Sequence, residues 1–321
     1  MINLKKLKQQ TQYQTNVMGI FLAFIIICII LTILSPHFLT AHNLLNVLLQ
    51  VCINFTIAIG MSFIILQGGI DLSVGANVAL TGLIIAILIK NVEMAVSLSI
   101  IIGLICASLI GLTNGFLVTF FNLPPFIATL GLMGISRGAA FTITGGNPIF
   151  TFPDSFREIT GRIAGFPLIT TLIMLFLFII GSYVLKYTKY GRSLYAIGGN
   201  ENCAHLSGIS VKLVKTTAYM ISGFCCGIAA VLLTSRLDSA VPTNADGAEM
   251  DAIAAVVIGG ISMRGGEGKL TGTVIGVLII GVIANGMNLL LVPQGAQRMI
   301  KGLIIVLAVI FDVIRRRNAK N

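Results

Sequence analysis

The sequence predicts an all-α, polytopic membrane protein of about ten transmembrane helices, some of them broken or halved. Three observations carry that expectation. The 321 residues are 56% hydrophobic and only 10% charged, against about 25% charged in a soluble domain. Apolar runs of the length needed to cross a bilayer, about 20 residues, follow one another almost without pause. The 35 glycines suit helices that approach closely where lipid supplies no hydrophobic drive. No polar stretch is long enough for a separate soluble domain; the longest basic one is 186–215.

The runs lie at 17–35, 45–66, 70–89, 95–121, 126–144, 166–186, 216–235, 248–262, 270–291 and 299–314. They divide the chain into a tail at 1–16, a membrane domain at 17–314 that contains a basic loop at 187–215, and a tail at 315–321. The first run follows Lys5, Lys6 and Lys8 and ends at Ser35-Pro36 with no small-x-small cleavage site, which reads as an uncleaved span. The third run starts in the glycine-rich segment Gly68-Gly69-Ile70-Asp71-Leu72-Ser73-Val74-Gly75, where the helix is expected to break. The run at 248–262 is short for a full span and reads as a half-helix or a tilted piece.

Charge sets the orientation. With a cytoplasmic N-terminus, the inside regions hold fourteen basic residues: Lys5, Lys6, Lys8, Lys186, Lys189, Arg192, Lys212, Lys215, Arg264, Lys269, Arg315, Arg316, Arg317 and Lys320. The outside regions hold six: Lys90, Arg157, Arg162, Arg236, Arg298 and Lys301. That excess favours an even number of spans with both termini cytoplasmic. The net charge of +10 therefore points to membrane orientation rather than to nucleic acid. The outer loop 145–165 is long enough for a short surface structure, and 236–249 is acidic through Asp238, Asp246 and Glu249.

Gly111-x-x-x-Gly115, Gly134-x-x-x-Gly138 and Gly268-x-x-x-Gly272-x-x-x-Gly276 have helical contact spacing, and packing within the chain is the expectation for each. Gly68–Gly75 and Gly259–Gly266 agree at four of eight positions, three of them glycine, a weak echo of the repeats on which transporters are often built.

Catalytic chemistry finds no support. His37, His42 and His205 fall on different sides of the membrane, and the six cysteines have no metal or disulfide spacing. Glu267-Gly268-Lys269-Leu270 lacks the first glycine and the final Ser/Thr of a phosphate-binding loop, so no ATP site, metal or cofactor is expected. What remains are polar groups inside apolar runs, which are costly there and mark function by default. Asp71 and Ser73 suit either a capped helix break or a place in a gate; Asn77 follows on the same face. Arg137 sits in the apolar Leu130–Phe141 stretch and needs a carboxylate or a wet cavity; Asp71 is a candidate partner. Glu249 and Asp251 suit a helix N-terminus or a solute path.

Within the basic loop, Ala196–Asn200 reads as a turn, Glu201–Leu206 as a short surface helix and Gly208 as its stop. An ordinary solvated basic loop is the alternative.

Taken together, Gly68–Gly75, the segment Ala196–Val211, and Asp251–Gly260 followed by G-G-x-G-x-L-x-G-T-x-x-G at 265–276 resemble the permease subunits of bacterial monosaccharide ABC importers, in particular the ribose permeases. The resemblance runs through nearly the whole chain in order. It implies an inner-membrane homodimer without cofactor, a separate cytoplasmic ATP-hydrolysing subunit and a periplasmic sugar-binding protein. It also implies that the basic loop inserts a coupling helix into the ATPase. The wider class marks that helix with Glu-Ala-Ala, three residues, then Gly. Here Ala204 and Gly208 keep the spacing, while Glu201 stands one residue early and Asn202 and Cys203 replace its neighbours. An ion-coupled secondary transporter is the rival, and it requires carboxylates near mid-membrane beyond Asp71.

Overall fold

The computed structural model describes residues 19–163 and 165–320; the expected tail at 1–16, with Lys5, Lys6 and Lys8, lies outside the described residues. Each apolar run has become a helix: α1 (Gly19–Leu34), α2 (Ala41–Leu66), α3 (Val74–Lys90), α4 (Val96–Phe120), α5 (Pro125–Thr144), α7 (Leu168–Tyr187), α10 (Val211–Leu237), α11 (Ala248–Ile258), α12 (Leu270–Leu289) and α13 (Gln294–Lys320). Six of these, α2, α4, α5, α7, α10 and α12, are long and apolar enough to cross a membrane. α11 has only 11 residues, roughly 16 Å of helix against a hydrocarbon core of about 30 Å, which fits the half-helix expectation.

The outer-loop expectation also took form. Strand β1 (Ile149–Phe150) pairs antiparallel with β2 (Ser239–Ala240), and α6 (Asp154–Arg157) runs into a 3-10 turn at Glu158–Thr160. This ribbon marks one end of the bundle. The other end carries α8 (Lys189–Gly199) and α9 (Glu201–Leu206).

α2 is the central helix, buried along most of its length and packed by α10, α12, α11 and α7. Contacts at the centre depend on missing side chains. A Cβ at Gly60 would stand 2.7 Å from the Ser222 backbone, and Gly111 interlocks with Gly223. Gly115 lies against Thr216, whose hydroxyl is 2.8 Å from that of Thr119. Asn43 of α2 and Asn285 of α12 exchange amide hydrogen bonds of 3.0 and 2.8 Å. Such interhelical polar contacts contribute on the order of 0.6–2 kcal/mol in membranes.

Two glycine repeats pack within the chain as expected: 111–115 against α10, and 272–276 against Gly259 and Ala255. The third does not. Gly131, Gly134 and Gly138 have nothing within 4 Å, so this face of α5 is bare. Spacing alone carries no information about which neighbour a helix face meets.

Candidate functional site

The chain between α2 and α3 is the break expected from the sequence. Gln67 closes α2, Gly68 takes φ +81, and α3 restarts at Val74. Asp71 is 2% exposed. Its Oδ1 accepts the Ser73 N–H at 2.8 Å and the Ser73 hydroxyl at 2.7 Å. From α4, the Asn114 amide donates to Ser73 Oγ at 2.7 Å and to Asp71 Oδ1 at 3.4 Å. Tyr219 of α10 donates to the Ile70 carbonyl at 3.1 Å. One turn into α3, Asn77 donates to the Ala107 carbonyl at 3.1 Å and accepts from Thr81 at 3.1 Å. Asp71, Ser73 and Asn77 thus come together and tie the broken helix to α4; freed backbone at membrane depth survives only when groups of this kind satisfy it.

The suggested Asp71–Arg137 pair is not formed. Arg137 lies toward the ribbon end, where its guanidinium donates to the Pro242 and Asn244 carbonyls at 2.5 and 3.0 Å. Carbonyls of an irregular loop can accept from a guanidinium N–H in place of a carboxylate, an option that no sequence motif announces. Asp251 is also elsewhere. It lies in the first turn of α11, as expected for an N-terminal acid, and pairs at 2.8 Å with Lys301 of α13, both side chains mostly buried.

Sequence reasoning passed over Gln67 and Asn114. Gln67 is 3% exposed, and neither its amide nitrogen nor its oxygen has a partner; Asn114 Oδ1 also has none. An unsatisfied buried polar group costs about 1–3 kcal/mol. The signal was available, since each is a polar residue inside an apolar run.

At the opposite end from the ribbon, the Ala196–Asn200 turn is corrected to helix: α8 continues to Gly199. Gly198 serves close approach rather than turning. A Cβ on Gly198 would run into the Leu66 carbonyl, and one on Gly265 would stand 2.7 Å from the Gly68 nitrogen. The Gly266 N–H donates to that same Leu66 carbonyl at 2.8 Å, and Tyr195 donates to the Gly268 carbonyl at 2.9 Å. The two echoing segments, 68–75 and 259–266, therefore meet at a node on which α8 rests.

The short helix expected at Glu201–Leu206 is present as α9. Asn200 caps it by accepting the Cys203 N–H at 2.9 Å, and Gly208 leaves it with φ +82. Ala204 is buried among Ile197, Ile209 and Val211. Glu201 turns back to Lys215 of α10 at 3.0 Å. Leu206 is 86% exposed, an apolar tip at the far point of the loop. No cluster of three or more metal-type ligands exists among the described residues.

A profile described as branched-chain amino acid transport system / permease component matches residues 43–309. Relatives matched over most of their length are also permeases. The ribose import permease protein of Bacillus subtilis (strain 168) is 45% identical over 94% of both chains. That of Haemophilus influenzae is 43% identical over 91% of both. The L-arabinose ABC transporter permease protein of Azospirillum brasilense is 33% identical over 95% of this chain and 90% of its own. No solved structure matches. With six spanning-type helices around a glycine-broken, hydrogen-bonded centre and a family match along most of its length, this chain is a multi-pass membrane protein that belongs to the permease-component family.

Proposed function

We propose that this chain is the membrane-spanning subunit of an ATP-binding-cassette importer and forms the path of a monosaccharide, D-ribose, across the bacterial inner membrane. The observation that carries the reading is identity of up to 45% to a ribose import permease over 94% of both chains. The partners are a cytoplasmic ATPase, a periplasmic sugar-binding protein and a second copy of the chain.

In this reading all ten apolar helices lie in the membrane, with α11 as a half-helix, and both termini are cytoplasmic. The α8–α9 end faces the cytoplasm. Support comes from Lys186, Lys189, Arg192, Lys212, Lys215, Arg264 and Lys269, which gather there, and from Asp238 and Asp246 at the ribbon end. α9 is the coupling helix: Leu206 enters the ATPase cleft, Ala204 seats the helix, Gly208 shapes its exit and Glu201 braces it through Lys215. Closure of the ATPases would push α9 and α8 as a unit against the Gly198–Gly265 node. Since that node touches the ends of both breaks, displacement there moves the segment 67–73 and the path beside it.

Asp71, Ser73 and Asn77 are gate residues in that they hold the break, and the unpartnered Gln67 amide is poised to gain a partner when it shifts. Arg137 and Asp251 hold the outer loop and the half-helix. The bare glycine face of α5 supports self-association.

The test is uptake of labelled ribose by proteoliposomes containing this chain, the ATPase and the binding protein, with arabinose and allose as competitors. ATP-dependent uptake competed mainly by ribose is expected. Ion-driven uptake by the chain alone would overturn the reading in favour of a secondary transporter.

A further inference from the structure

At the α8–α9 end, the last turns of α7, the side of α8 and the start of α12 enclose a cavity of about 600 Å³. Its charged lining has one sign. Lys186, Arg192 and Lys269 border it, together with Tyr195, Ser182 and Thr271, and no acidic residue is among its described lining. Neither Lys186 nor Arg192 has a carboxylate partner among the described residues; Lys186 lies over the Tyr187 ring and Arg192 donates to the Tyr187 carbonyl. The Ser182 hydroxyl is buried without a partner. α12 begins here without a side-chain cap, so the N–H groups of its first turn add the positive end of a helix dipole.

The surroundings are those of a lipid boundary. Leu185 and Leu270 line the cavity, and α7 beside it exposes Ile179, Ile180 and Tyr183. The Tyr183 and Tyr187 rings are 5.5 Å apart, and the Lys186 ammonium lies 4.8 Å from the Tyr187 centroid. Tyrosines and a lysine arranged in this way mark the level of the headgroups. A soluble anion has no use for an adjoining apolar face of a membrane helix, whereas an acyl chain does.

We propose that this cavity binds the headgroup of an anionic phospholipid, with its phosphate between Lys186, Arg192 and the first turn of α12 and its acyl chains along α7. Basic pockets between transmembrane helices recognise acidic headgroups in this manner. Lys186, Arg192 and the first turn of α12 belong to three elements, so the bound lipid clamps α8, which leads into α9, to α7 and α12.

The test purifies the full complex from membranes of mixed phosphatidylglycerol and phosphatidylcholine and measures retained lipid by native mass spectrometry. Preferential retention of phosphatidylglycerol is expected, falling on the order of tenfold in Lys186→Gln/Arg192→Gln and unchanged in Lys189→Gln, which alters a neighbouring exposed lysine outside the cavity. On the wild-type complex, a photoactivatable phosphatidylglycerol should label peptides of α7 and α8, and neither inorganic phosphate nor ATP should compete. Equal retention of both lipids would overturn the proposal, as would labelling elsewhere or displacement by phosphate, which would mark a free-anion site. Loss of the ATPase from the double variant with lipid retention intact would identify a protein-docking surface and would also overturn it.

Discussion

At Gly208 the chain leaves α9 with φ +82, and a side chain added there would meet nothing within 4 Å. The demand is therefore on the backbone alone: a β-branched residue in this region costs about 1–2 kcal/mol, whereas asparagine tolerates it. Gly208→Val should leave the protein inserted and basal ATP hydrolysis intact while uptake falls about tenfold, the factor that ~1.4 kcal/mol represents; Gly208→Asn should transport nearly normally. Parallel uptake and hydrolysis assays on the reconstituted complex decide this, and normal coupling in Gly208→Val would reduce the loop to a tether. Asp71 poses a different question, because its Oδ1 satisfies a backbone N–H, a hydroxyl and an amide at once. Asp71→Ala strands the Ser73 N–H and hydroxyl at about 1–3 kcal/mol each, while the Asn114 amide keeps Ser73 Oγ, and should lower the unfolding temperature in detergent together with uptake. Asp71→Asn keeps an acceptor in place and should retain most of the stability. If Asp71→Asn abolished uptake without loss of stability, the carboxylate charge itself would be needed.

Among the elements, α11 is the one least able to stand alone, being too short to cross the bilayer and held by its neighbours. The Asp251–Lys301 pair joins it to α13, with side chains 15% and 23% exposed. Removing one partner of such a pair leaves a poorly solvated charge. Asp251→Lys and Lys301→Asp should each destabilise the protein, and the double exchange should recover about 0.5–3 kcal/mol of coupling. Thermal unfolding of the four proteins measures this, and strict additivity would show the pair to be incidental. At the other end, α8 rests on the node through Gly198, which is pressed against the backbone of Leu66 and Gly266. Gly198 suggested a turn in the sequence. A glycine looks alike locally whether it frees the backbone or admits a neighbour.

For the whole molecule, the question is which surface meets lipid and which meets protein. α4, α5 and α7 carry much exposed apolar surface, as a bilayer requires, but only α5 adds three open glycines in register. If the proposed second copy packs on this face, Gly134→Leu should weaken cross-linking between copies while leaving the monomer folded, because the position has no intrachain neighbour to displace. Undiminished dimer in that variant would move the interface to another face.

The sequence by itself determined the class of molecule and the position of nearly every helix. These follow from apolar run length, which acts locally along the chain. It also located the break at Gly68–Gly75, the α9 helix and its Gly208 stop, since glycine and capping residues act within a few positions. Only the tertiary structure decided which partners the buried polar groups take. Asp71 went to Ser73 and Asn114, Arg137 to two loop carbonyls, and Asp251 to Lys301. Only it showed that Gly198 of α8 seats a helix, and that Gly134 and Gly138 have no neighbour. A polar side chain at membrane depth must find a donor or acceptor, but which one lies in reach depends on how distant helices cross.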